Sequence, residues 1–220
     1  MENSKTEKQS TSDLILNYIL QNGIRVGDKL PTENELSKYF SLSRIKIREG
    51  IQGLKYMGIL SSSTKGGTVV RELNFSQFSK SVSFQIAINN VDWKYLIEAR
   101  LVLELSVIDL LCGKLTDEQL EELQANADCQ LPSNTKEKQQ RRELDLKFHM
   151  LLVKNTGNPV LIAYEGLLKS FFKNYDSTKS TDSPEATQEH YQIISALKSG
   201  NRDLAKGIMR EHLSRYFDKI

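Results

Sequence analysis

Only three histidines occur in this 220-residue sequence: His149, His190 and His212. Asp145 stands four residues before His149, so on a helix the two project from one face. Two histidines from later helices could join them around a divalent cation. Imidazole nitrogen suits zinc, nickel, iron or copper, and a carboxylate completes a mixed nitrogen and oxygen donor set. The alternative is three solvated or hydrogen-bonded histidines, because spacing along a chain does not give the distance between helices. The enzyme alternative is a metal-dependent hydrolase working through a zinc-bound water. No HExxH, His-Asp dipeptide, GxSxG or phosphate-binding P-loop occurs. With Asp145 spent as a ligand, no obvious general base remains. The chain is therefore read as a non-enzyme with no catalytic residue.

The elements that must position these residues read as helices. From Phe75 onward no strand-type alternation is present, and periodicity predicts helices over 75–88, 92–112, 116–129, 136–155, 159–173, 184–199 and 202–218. Thr116 and Gln119 form a capping box, and Pro159 and Pro184 suit first helical turns. Residues 73–220 are thus expected to form an all-α bundle, with Asp145 and His149 on one helix and His190 and His212 on the last two.

A second constellation lies near the other end. From Phe40 to Arg71 there are six basic residues and one acidic, whereas from Asn74 onward there are 19 basic and 20 acidic. A basic segment on a neutral body points to a polyanion. Residues 1–9 read as a flexible tail and residues 10–72 as a winged helix-turn-helix. Ser10, Thr11 and Ser12 offer caps for a first helix. Thr32 and Glu35 form a capping box for a short second helix, and Ser43 caps a third that ends at Gly58. Ile59–Ser63 and Thr68–Val70 flank a Lys65-Gly66-Gly67 turn and read as a hairpin.

With Ile47 set at 0° on a helical wheel, Ile51 and Leu54 fall at about 40° and 340°. Arg44, Lys55, Arg48 and Gln52 fall at about 60°, 80°, 100° and 140°. The apolar stripe can dock on the preceding helices while the cationic face meets base edges and phosphates. Thr32, Ser43, Arg44, Lys46, Arg48, Lys65, Gly66 and Gly67 are the candidate DNA contacts. The plain alternative is a solvated charged face.

Overall composition is ordinary, with net charge +2 and 39% hydrophobic residues. The polar start and the lack of a long apolar run predict neither a secretory signal nor a membrane span. Cys112 and Cys129 form no CxxC pair, which fits a reducing cytoplasm.

Residues 26–36 (VGDKLPTENEL), 42–51 (LSRIKIREGI) and 54–60 (LKYMGIL) resemble the winged-helix domain of the GntR family. Lys46 departs from the usual Thr or Pro, Gly50 from the usual Ala, and Gly66-Gly67-Thr68 from Gly-x-Gly. Gly50 should cost the helix about 1 kcal/mol unless close packing requires it. Residues 98–104 (EARLVLE), 145–149 (DLKFH), 157–161 (GNPVL), 189–197 (EHYQIISAL) and 205–213 (AKGIMREHL) resemble the FCD ligand-binding domain of the FadR-type subgroup. The resemblance implies a transcriptional regulator, expected to be a repressor and a homodimer on a palindromic DNA operator. It also implies one divalent metal per chain, zinc by expectation with nickel or another transition metal open, held by Asp145, His149, His190 and His212. The implied effector is a small carboxylate, with Arg100 as its clamp. The competing role for Arg100 is a buried pair with Glu104. A regulator for which the ion itself is the signal is the alternative function.

Overall fold

The computed structural model describes residues 9–64, 66–131, 138–163 and 184–215. The chain divides into two compact units, Met1–Phe78 and Ser79–Ile220. Among the described residues no helix is long and apolar enough to cross a membrane.

In the first unit, capping fixes where each helix begins. Helix α1 (Thr11–Gln21) starts at Ser10, whose hydroxyl accepts from the Asp13 amide while Asp13 bonds back. Helix α2 (Glu33–Phe40) starts with the same reciprocal box between Thr32 and Glu35. Ser43 caps α3 (Arg44–Tyr56) by accepting from the Lys46 amide. Each cap satisfies donors that a helix start leaves open. Ile15, Leu36, Ile47, Leu54 and Leu60 close a small core around which the three helices pack.

Two antiparallel strands follow, β1 (Leu60–Ser62) and β2 (Thr68–Val70), with Ser61 opposite Val69. The stretch before α2, read as a plain loop in the sequence, also pairs with β2. The Leu30 amide donates to the Thr68 carbonyl at 2.8 Å, and the Val70 amide to Asp28 at 3.1 Å. Lys65 lies outside the described residues. Gly66 and Gly67 both have positive φ, 78° and 94°, a conformation that a Cβ would strain.

Gly50 has a different reason. A Cβ there would sit 2.9 Å from Thr11 Cγ2 and 3.1 Å from the Thr11 backbone carbon. Nearby, Ser12 Oγ donates to the Gly50 carbonyl at 3.2 Å. The departure from Ala thus lets α1 lie directly on α3.

The second unit contains α5 (Trp93–Leu111), α6 (Asp117–Gln130), α7 (Lys138–Asn155), α8 (Pro159–Ala163), α9 (Pro184–Lys198) and α10 (Arg202–Ser214). Helix α4 (Ser76–Ile88) precedes them and buries only Ser79. Thr116 and Gln119 form the expected capping box, and Asn201 caps α10. The core is one apolar cluster that includes Ile97, Ile108, Leu123, Phe148, Leu152, Ile193, Leu197 and Met209. The later parts of the helices expected over 159–173 and 202–218 fall outside the described residues.

Candidate metal centre and nucleic-acid interface

Four helices deliver the polar cluster inside this apolar core. Helix α7 supplies Asp145 and His149 one turn apart, α9 supplies His190, α10 supplies His212, and α5 runs alongside with Arg100 and Glu104. The three imidazoles are buried, with His149 and His190 at 0% exposure and His212 at 1%. Asp145 Oδ1 lies 3.3 Å from His190 Nε2, 3.6 Å from His212 Nε2 and 3.8 Å from His149 Nε2. His149 Nε2 and His212 Nε2 are 3.2 Å apart.

Ligands about 2.0–2.1 Å from one zinc ion stand about 2.9–3.4 Å from one another. All four donor atoms here lie within 4.8 Å of each other. The set fits a divalent transition metal in donor chemistry, and its closest pairs, at 3.2 and 3.3 Å, already stand at ligand spacing. The sequence expectation that Asp145, His149, His190 and His212 converge is met by geometry.

Each histidine is held from behind. Nδ1 of His149 meets the Glu104 carboxylate. Nδ1 of His190 lies 2.9 Å from Gln130 Oε1, and Nδ1 of His212 lies 3.0 Å from Glu189 Oε2. All three partners are acceptors, so Nδ1 carries the hydrogen and the Nε2 lone pair points inward. Phe148 stacks on the His190 ring with centroids 3.8 Å apart and planes 14° from parallel. Two of the carboxylates are themselves paired with arginine, Glu104 with Arg100 Nε at 2.5 Å and Glu189 with Arg215.

The charges divide accordingly. Burial alone would raise the Glu104 carboxyl, but the Arg100 charge and then His149 outweigh it and hold it at about 2. Burial likewise works against the Asp145 carboxylate, and the imidazoles of His149 and His190 beside it keep it well below the usual range. Burial lowers His190 and His212 to about 3, leaving both neutral and able to ligate. Burial also opposes the charged form of His149, but Glu104 outweighs it and raises its pKa.

Sequence reasoning missed Gln130, Glu189 and Phe148. Glu189 and Phe148 had a signal, since each precedes a candidate ligand by one residue. Gln130 had none, because only the packing of α6 against α9 brings it to His190. Arg100 is 1% exposed and pairs with Glu104, the arrangement weighed against an effector clamp.

The DNA-facing candidates occupy the other unit. Thr32 and Ser43 engage their own helix starts. Arg44 and Lys46 are exposed on the first turn of α3. Arg48 forms a two-pronged ion pair across to α2, with Nη2 2.7 Å and Nε 3.1 Å from Glu33 oxygens. Lys55 Nζ donates to Ser62 Oγ of β1 at 3.0 Å, tying α3 to the hairpin.

Comparison with known proteins agrees with both units. The FCD domain family matches residues 95–215, and the gntR family of bacterial regulatory proteins matches residues 8–70. The HTH-type transcriptional regulator YcbG of Bacillus subtilis (strain 168) is 31% identical over 223 residues, covering 99% of this chain and 91% of that protein. The galactonate operon transcriptional repressor of Escherichia coli (strain K12) is 23% identical over 188 residues, covering 82% of each chain. Among solved structures, a GntR protein of Streptococcus agalactiae aligns with TM-score 0.61 and 25% identity over 92% of this chain and 95% of that one. These relatives are regulators, not enzymes. The chain belongs to the GntR family of DNA-binding transcriptional regulators, with an FCD ligand-binding domain as its second unit.

Proposed function

We propose that this regulator is a cytoplasmic homodimeric repressor that senses a small carboxylate through a metal ion in its helical domain. The observation that carries the reading is the convergence of three buried Nε2 atoms on Asp145 Oδ1. One divalent ion, zinc in the first instance, is held there by Asp145, His149, His190 and His212. Zinc can expand to five ligands and other transition metals accept six, so the ion would have room for a carboxylate oxygen beside these four residues. Arg100 contributes a guanidinium whose orientation Glu104 fixes, a geometry suited to clamping a carboxylate. One relative represses a galactonate operon, which makes galactonate, a sugar acid, a suitable first carboxylate to test.

In the first unit, Arg44, Lys46, Arg48 and Lys65 bind phosphates and base edges of a palindromic operator. Thr32, Ser43, Gly66 and Gly67 present hydroxyls and backbone at close range. Effector binding favours one arrangement of the helical domain and so changes operator affinity.

The test measures affinity for duplexes selected from a random pool, at fixed salt, with the protein zinc-loaded or chelated. Galactonate and small dicarboxylates are then titrated. A carboxylate that shifts affinity only in loaded protein supports the reading. Affinity that follows the ion and ignores every carboxylate supports the metal-sensor alternative. Affinity indifferent to both overturns the coupling.

A further inference from the structure

The outward face of α3 carries an unexplained isoleucine. Ile45 is 69% exposed and takes no part in the core formed by Ile47, Ile51 and Leu54. With Ile47 at 0°, Ile45 falls at about 160°, nearly opposite the buried stripe. Gln52 and Arg48 flank it at about 140° and 100°. Its chain neighbours are Arg44 and Lys46. In the free protein this side chain gains nothing: it fills no core, and a β-branched residue is a poor choice for an exposed helix position. Its apolar surface is thus open to a contact in the complex.

The first turn of a recognition helix is the part that meets base edges in the major groove. Only one group on those edges is apolar, the 5-methyl of thymine. We infer that Ile45 reads a thymine methyl in each operator half-site and is a specificity-determining residue of this regulator. Arg48, one turn further on and held by Glu33, fixes the register beside it. Arg44 and Lys46 supply charge on either side. The inference rests on α3 entering the major groove, and the experiment separates the two.

Full-length protein is used to select duplexes from a random pool. Each selected thymine is then replaced singly by deoxyuridine, which removes the methyl and nothing else. Affinities are measured by fluorescence anisotropy at one salt concentration for the wild type and for Ile45→Ala. One thymine per half-site should be enriched, and its deoxyuridine form should bind the wild type about fourfold more weakly, the worth of one buried methyl-sized group. Ile45→Ala should bind the thymine duplex more weakly by a similar factor and be indifferent to the methyl. Exposure at this position leaves the fold of the variant intact, which its melting temperature checks. Equal affinity for thymine and deoxyuridine at every selected position, or an undiminished methyl effect in Ile45→Ala, overturns the inference. Absence of any salt-dependent duplex binding overturns the groove reading itself, and this inference with it.

Discussion

The two units hold their ionisable residues in opposite ways. In the helical unit, Arg100, Glu104 and the three histidines are buried and each is fixed by a named partner. In the winged-helix unit, the side chain of Arg48 stays 62% exposed even while paired with Glu33. Buried polar groups are tolerated only when paired and hydrogen-bonded, so each member of the first set is also a member of the fold. Exposed charges are nearly neutral to the fold and remain available to a partner. The difference predicts that substitutions in this buried cluster act on stability and metal together, while those of the exposed charges of α3 act on DNA alone.

The largest effect should come from His190→Ala. Elemental analysis of untagged wild-type protein should find about one transition-metal ion per chain, and the variant should have none. No metal in wild type, with no uptake on soaking, would make the cluster a hydrogen-bond network. The contrast between the units would then rest on burial alone.

Arg100→Met comes next. Removing the guanidinium leaves Glu104 buried against His149 without its strongest partner. Breaking a buried pair in this way costs about 3–5 kcal/mol. At about 2–4 °C per kcal/mol for a chain of this size, the melting temperature should fall by roughly 10 °C or more. A fall of only a degree or two would show that His149 alone supports the Glu104 charge.

Acid should act on the same unit. His190 and His212 have pKa values lowered to about 3, so unfolded chains bind protons there that the folded chain refuses. The stability they contribute is present above about pH 6.5 and is lost as pH falls toward 3. His149 is raised and works the other way, but it is one group against two. The melting temperature of chelated protein should drop on the order of 5 °C between pH 7 and pH 5. A flat profile would break the assignment of neutral histidines.

Gly50→Ala tests the first unit by its core rather than its surface. An exposed Gly→Ala change in a helix gains up to about 1 kcal/mol. Here the new Cβ meets Thr11 backbone at 3.1 Å, and overpacking of this kind costs about 1–3 kcal/mol. Net destabilisation, read by urea denaturation, is expected. A stabilised variant would show that α1 can slide off α3.

Much of this was legible in the residues because the signals are local. Thr32 with Glu35, Ser43, and Thr116 with Gln119 announce helix starts by their own chemistry, and the structure shows those caps. The spacing of Asp145 and His149 places them on one face whatever surrounds them. Convergence with His190 and His212 was not local. It depends on how α9 and α10 pack against α7, and the family resemblance supplied what periodicity could not. Gln130 stayed hidden for the same reason. The pairing of Asp28 and Leu30 with β2 was missed because two backbone hydrogen bonds leave no side-chain pattern. Gly50 was legible as an anomaly, but its cause, the approach of Thr11, lies 39 positions away.

The smallest effect on the fold should come from the Glu33–Arg48 pair, and there the contrast is sharpest. Both residues are solvent-accessible, so Glu33→Gln and Arg48→Gln should each leave the melting temperature nearly unchanged. On DNA they should diverge. Arg48→Gln removes a phosphate or base contact, so the slope of log affinity against log salt should shrink by about 0.9, the value for one phosphate contact. Glu33→Gln removes a negative charge from beside the DNA face and frees the guanidinium, so non-specific binding should strengthen while discrimination between selected and random duplexes falls. The glutamate then acts by holding Arg48 in place, since a purely structural pair would weaken binding in both variants alike. If both variants lose stability to the same extent and neither changes the salt slope, Arg48 is a strut between α2 and α3. The exposed unit would then hold its charges for the fold after all, as the buried one does.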